Sequence, residues 1–311
     1  MPTIAYLTSS DMVPGAPDSR DDLFELEHQW AALAPACAAL DLHLRLWVWD
    51  DPALLDAVAR GEIDAVVLGT PWDYAPRVQA FLARLDALAA AVPVLNSPAL
   101  VRWNADKRYL RDLAERGVAS VPTAWVDRVD EEGIRAAFER LGADEVVAKP
   151  VVGANAVRQI RLRRGQPLPP VDQRPPGAAL IQPFLPAVQD EGELSFVFCG
   201  GELSHALRKV PRRGDYRVQA TYGGAEVPHA ASPAELEGAR AVLAAIPSSE
   251  VPLYARVDQV RGPDGRLLLM ELEVIEPYLY PLQGPELGPR FAAALERGLE
   301  QALEATVRRG R

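Results

Sequence analysis

The chain has 311 residues, 49% hydrophobic and 24% charged, which suits a soluble globular protein of two or three packed subdomains. A net charge of −10 argues against nucleic acid as the main partner. Cys37 and Cys199 stand far apart without CxxC spacing, so neither a disulfide framework nor a cysteine zinc site is expected, and the reducing cytoplasm is the expected location.

The N-terminal MPTIAYLTSS has no basic leader and reads as a strand over 3–9. A polar loop, 9–22, leads to a helix over 23–40 that should bend at Pro35. A strand over 42–49, a short helix over 52–60 capped by Asp50-Asp51, and the apolar strand 65–68 follow. The loop 69–74, a helix over 77–91 and a short strand over 93–96 complete a β-α-β-α-β-α-β order. That order implies a parallel, doubly wound sheet with ligands at strand C-termini, where Ser10, Asp11, Trp72, Asp73 and Tyr74 fall. Trp72 and Tyr74 fit either loop packing or substrate contact there.

Residues 98–118 read as helical and carry Lys107. Strands are expected over 121–126, 145–149, 157–163 and 180–185, with a helix over 131–141 and a Pro-rich connection at 166–177. Residues 193–199 and 202–211 read as a hairpin turning at Gly200-Gly201, and a polar, Gly-containing loop spans 212–224. Ser232 should cap a helix over 233–246, and an amphipathic helix should span 290–308. No apolar run is long enough to span a membrane.

The stretch 267–277, LLLMELEVIEP, places Glu271 and Glu273 on one strand face. Such a face is either solvated or held by a cation, and the apolar flanks favour a metal or an arginine. The strand 253–260 and the turn RGPDG before it make a hairpin. A fold about Pro263 and Asp264 sets Asp258 near Leu269 and Arg256 opposite Glu271, on that same face. Three hard oxygen donors suit Mg²⁺. The 33 basic residues include three lysines, Lys107, Lys149 and Lys209, at positions where arginine has not replaced a compact ammonium.

Taken in order, TPWDY (70–74), RWNADKRYL (102–110), a strand ending Lys149-Pro150, QPFLPAVQDEGELSF (182–196), HALRKVP (205–211), DYRVQATYGG (215–224) and ELEVIEP (271–277) are diagnostic. The chain resembles the ATP-grasp superfamily of carboxylate–amine ligases along essentially its whole length. It is most similar to the glutathione synthetase and ribosomal-protein glutamyl ligase branch, and within that to cycloserine synthetase-like members. The resemblance implies an α/β fold, α+β in its C-terminal half. A Rossmann-like domain over 1–97 would precede two subdomains, 98–181 and 182–311, that sandwich ATP.

It also implies roles. Lys107 and Lys149 would meet the ATP phosphates and Gln182 the adenine amino group, with the backbone of Phe184 and Leu185 along the ring. Glu193 would hold the ribose, with Glu191 as the alternative. Asp258, Glu271 and Glu273 would bind Mg²⁺, as two ions; many relatives carry asparagine where Glu273 stands. Lys209, Arg217 and Arg256 would neutralise the transferred phosphoryl group and the carboxylate substrate, with Tyr222 and Gly223 on the substrate side. The loop 151–156 carries one glycine where the superfamily is glycine-rich. The implied reaction forms an acyl phosphate and ADP, then an amide. It takes a small-molecule carboxylate and amine, joined within one amino-acid-like molecule or between two, and it permits a homo-oligomer. A nucleotide-binding protein without catalysis is the other reading, disfavoured by the full charged set. Four dispersed histidines and the lack of a GxGxxG after the first strand argue against a zinc hydrolase and a dinucleotide oxidoreductase.

Overall fold

The structure, a computed structural model, describes residues 1–309. Apolar strands β1 (Thr3–Thr8), β2 (His43–Val48), β3 (Ala65–Thr70) and β4 (Val94–Leu95) pair in parallel in the order β2-β1-β3-β4. Helices α1 (Leu23–Ala38), α2 (Pro52–Ala59) and α3 (Val78–Ala89) link them. Asp51 caps α2 by accepting the Ala53 amide at 2.8 Å. The fully buried β3 matches the expectation for a central parallel strand, apolar on both faces.

The expected helix over 98–118 is two helices, α4 (Pro98–Asn104) and α5 (Tyr109–Glu115). The break at 105–108 puts Lys107 on a turn, where its amide donates to Val151 O at 2.7 Å. Beyond it, β5 (Ala124–Val126), α6 (Glu131–Leu141), β6 (Glu145–Pro150), β7 (Ile160–Arg163) and β8 (Ala179–Pro183) build an antiparallel sheet, β5-β8-β6-β7, covered by α6.

The third sheet follows a short helix, α7 (Ala187–Asp190). It comprises β9 (Glu193–Cys199), β10 (Glu202–Val210), β11 (Ala225–His229), β12 (Tyr254–Arg261) and β13 (Leu267–Glu273) in the order β11-β10-β9-β12-β13. Between β11 and β12, α8 (Pro233–Ala244) starts with the capping box of Ser232 and Glu235. Neither α7 nor β11 is evident from the sequence; β11 is a largely exposed edge strand containing Pro228, with no alternation to reveal it.

The β12–β13 register differs from the expected one by two residues. Arg256 faces Glu273 and Asp258 faces Glu271: one residue of the shift comes from the turn, which sets Arg261 against Leu267 and so centres on Asp264, and the other from a bulge between Asp258 and Gln259. A slip of two preserves the face, so the carboxylates still share it. The final helix α9 (Leu287–Arg309) packs on α1 and on β9 and β10. Its Phe291 and Leu295 join Val197, Leu207 and Tyr254 in one core with the parallel sheet, fixing that domain against the third sheet. Among the described residues no helix is long and apolar enough to cross a membrane.

Candidate active site

A cleft opens between the second and third sheets, with one end against the parallel domain. Its walls include Lys107, Lys149, Gln182, Phe184, Leu185, Glu193, Lys209, Arg217, Arg256, Asp258, Glu271 and Glu273. Adjacent antiparallel strands align these groups. Lys209 on β10 pairs in register with Glu193 on β9, Ser195 with Asp258 on β12, and Arg256 with Glu273 on β13. One sheet face thereby becomes a row of alternating charge. Lys209 Nζ lies 2.5 Å from Glu193 and 3.0 Å from Asp258. Arg256 donates to both Asp258 oxygens, at 2.9–3.1 Å, and to Glu273. Ser195 Oγ donates to Asp258 at 2.6 Å.

These contacts decide the protonation of a row that burial alone would neutralise. Burial opposes the charge on Asp258, but Arg256 and Lys209 outweigh it and hold that carboxyl well below its usual range. Burial also opposes the charges of Lys209 and Arg256, and their carboxylate neighbours keep both firmly cationic. Glu273 is pushed up by burial, and its one close cation, Arg256, is shared with Asp258. Glu271 is lowered, because Lys107 and Lys149 overcome its burial; Lys107 is bonded to it directly and is raised in turn.

Besides Gln219, whose buried Oε1 is unpartnered, two groups in this cleft lack a hydrogen-bond partner suited to their chemistry. The hydrogen-bond partner of the Lys149 ammonium is the Met270 thioether, at 3.2 Å, and burial lowers its pKa. A sulfur is a weak acceptor, so this half-buried cation, whose carboxylate neighbour Glu271 is bonded to Lys107, has hydrogen-bonding capacity left for an anion. Gln182, 2% exposed, donates Nε2 to Thr123 Oγ1 at 3.1 Å, while its buried Oε1 has no partner. That orphan calls for a donor. A nucleotide with an exocyclic amine at one end and phosphates at the other supplies both. Replacing Gln182 with Leu is expected to raise the KM for ATP about tenfold through the lost acceptor, with kcat little changed, in a coupled ADP assay.

Mg²⁺ fits the donor chemistry in part. Among the described residues no three His, Cys, Asp or Glu side chains form a ready metal site. Both Asp258 oxygens are engaged by cations or Ser195, whereas Glu271 and Glu273 each bind their cation through one oxygen, Oε1. The two glutamates are thus the carboxylates with a further hard donor to offer.

The other expected residues are divided between the cleft wall and its surroundings. Glu191 is on the surface, bonded to Arg261 at 2.7 Å, outside the cleft lining. Arg217 lines the cleft but forks onto Asp215 and lies 3.8 Å over the Tyr222 ring. Tyr222 donates to Asn155 O at 3.3 Å, and Gly223 takes the left-handed conformation, φ +80°, that its turn requires. Trp72 lines the cleft and donates Nε1 to Glu276 O at 2.9 Å. Tyr74 is buried against Phe81 and bonded to the Glu276 carboxyl. Asp73 accepts from Trp49 and Arg77, and Asp11 from Ser9, as parts of the parallel domain's own loops; Ser10 is exposed.

The sequence reading omits Glu25, Glu226, Glu276 and Tyr278, which also line the cleft. Glu276 could have been found, since it ends the ELEVIEP stretch. Burial, reinforced by Glu273, pushes its pKa up to about 8 from an ordinary 4.5, and burial takes Glu25 to about 8 as well. Folded protein then holds more protons than unfolded chain between those values. The stability these groups contribute is complete below pH 4.5 and lost as pH rises through 8. Glu276→Gln is therefore expected to match wild type in melting temperature near pH 5 and exceed it above pH 8, as a pH series of thermal melts would show.

A family model described as the N-terminal domain of D-cycloserine synthetase DcsG matches residues 4–96. The cycloserine biosynthesis protein DcsG of Streptomyces lavendulae is 30% identical over 296 residues, covering 88% of this chain and 95% of that protein. The crystal structure of D-cycloserine synthetase DcsG superposes with a TM-score of 0.79 at 27% identity, over 96% of this chain and 99% of that one. The ATP-grasp ligase PsnB with its minimal precursor shares the fold, with a TM-score of 0.61 at 18% identity, over 95% and 99% of the two chains. With the cleft, its cations and its carboxylate hairpin in place, the chain belongs to the cycloserine synthetase family of ATP-grasp ligases.

Proposed function

We propose that this chain uses ATP to activate the carboxylate of a small amino-acid-like molecule and closes it onto an amine of the same molecule. ATP-dependent joining of a carboxylate to an amine, with release of ADP, is the reaction class of the family. The observation that carries the reading for this chain is the pair of unmet groups in one cleft, Lys149 and Gln182, beside the row of cations. The cyclising form draws on the likeness to D-cycloserine synthetase.

In the first step a substrate carboxylate oxygen attacks the γ-phosphorus and the bond to ADP breaks. Lys107 and Lys149 hold phosphate oxygens as point charges. Lys209, Arg256 and Arg217 offset the charge of the carboxylate and of the phosphoryl group in flight. In the second step the amine attacks the acyl carbon, loses a proton and expels inorganic phosphate. No protein nucleophile is required; alignment and charge neutralisation supply the rate. Glu271 and Glu273 would hold Mg²⁺, which neutralises phosphate charge when bound. A second ion would draw on Asp258 once it exchanged Arg256 and Lys209 for the metal.

The test is ADP formation with one amino-acid-like acid as sole organic substrate. Turnover giving a cyclic product, unchanged by added free amines, is the expected result. A strict requirement for a second amine would make the enzyme an intermolecular ligase instead.

A further inference from the structure

We infer that Arg161 is a positioning residue, which locks the adenine wall of the cleft to the loop 212–224 that carries Arg217. This rests on the reading of the cleft as an ATP site. Arg161 is not part of the cleft lining, yet its guanidinium lies 3.5 Å from the Phe184 ring centroid and 5.4 Å from that of Tyr216. Both rings line the cleft, and they meet edge to face at 6.0 Å.

The guanidinium is set in this plane by Glu145, which accepts from Nε at 2.8 Å and from Nη2 at 3.0 Å. The edge donors are thus used in the plane and the flat faces stay free to stack, which a lysine could not reproduce. The same Glu145 accepts the Phe184 amide on its backbone oxygen at 2.9 Å. Arg161, Phe184 and Glu145 therefore form one unit on the second sheet and its exit strand.

The loop docks on that unit through Tyr216. Gln189 holds the neighbouring Asp215 backbone oxygen at 3.0 Å, and the Asp215 carboxylate receives the amides of Tyr216 and Arg217 and forks with the Arg217 guanidinium. The residue that stacks, Tyr216, and the cleft-lining Arg217 are adjacent, with little freedom between them. A nucleotide base seated against Phe184 restrains that ring, and so restrains Tyr216 and the placement of Arg217. Binding of ATP is thereby coupled to assembly of the carboxylate end of the site.

The test compares wild type with Arg161→Gln, Tyr216→Leu and the double variant. One readout is trypsin cleavage after the exposed Arg212 and Arg213, with and without a non-hydrolysable ATP analogue and Mg²⁺. In wild type the analogue should slow cleavage; in both single variants that protection should vanish. Analogue affinity should weaken by no more than about fivefold. The kcat/KM for the carboxylate should fall on the order of tenfold to a hundredfold. The double variant should be no worse than the worse single one, and Arg161→Lys should not rescue. Protection retained in Arg161→Gln, or losses that add in the double variant, would overturn the assignment. So would a wild-type enzyme that binds the analogue without protection. Failure of wild type to bind the analogue at all would instead overturn the ATP reading beneath it.

Discussion

Glu271→Gln is expected to lower Mg²⁺-dependent ADP formation by about 10²–10³-fold while the fold persists. Glu271 is the carboxylate on which the phosphate end of the cleft converges. It binds Lys107 directly, it is the strongest electrostatic partner of the half-buried Lys149, and it has a second oxygen for a divalent ion. The amide keeps the shape and an oxygen but removes the charge, so Lys107 loses its counter-ion and a bound Mg²⁺ would lose the charged ligand proposed for it. The Lys107 backbone is separately tied to Val151, so the turn should survive. Steady-state ADP release with thermal melts of the same samples checks this. Wild-type turnover in the folded variant would remove Glu271 from the reacting centre.

Arg256→Met should cost about 3–5 kcal/mol of stability, read by urea unfolding. Arg256 is 7% exposed and serves two carboxylates at once, Asp258 and Glu273, besides donating to Tyr278 O at 3.1 Å. Methionine fills much of the volume but leaves the buried Asp258 with Lys209 and Ser195, and the partly exposed Glu273 with no bonded cation. Adding Glu273→Gln to this variant should recover part of the loss, because it removes the charge left uncompensated. No recovery would show that the two do not form a coupled pair.

The paired carboxylates of β13 are legible because strand alternation needs only Leu-Met-Glu-Leu-Glu in sequence to put Glu271 and Glu273 on one face. Asp258 and Arg256 follow from the turn, and their exact partners do not, since the turn centres on Asp264 and the bulge at Asp258 and Gln259 adds a further residue with no local signal. Face survives such an error and pairing does not. Lys107 shows a different limit. Its neighbours mix good helix formers with Asn104 and Asp106, and the break is held both by Asp106, which accepts the Arg108 amide at 2.9 Å, and by a tertiary contact with Val151. The acidic end of the cleft was hidden for a third reason. Glu25 on α1 and Glu226 on β11 are 201 positions apart and join it only through the docking of the parallel domain on the third sheet. The order of motifs was enough for the family, and the long-range packing was needed for the shape of the site.

The most direct test of the central claim is ³¹P NMR of wild-type protein with ATP, Mg²⁺ and a panel of small amino acids and related carboxylates. The account predicts ADP and inorganic phosphate in equal amounts, formed only when both Mg²⁺ and an accepted carboxylate are present. AMP and pyrophosphate, or ADP release indifferent to the carboxylate, would contradict it.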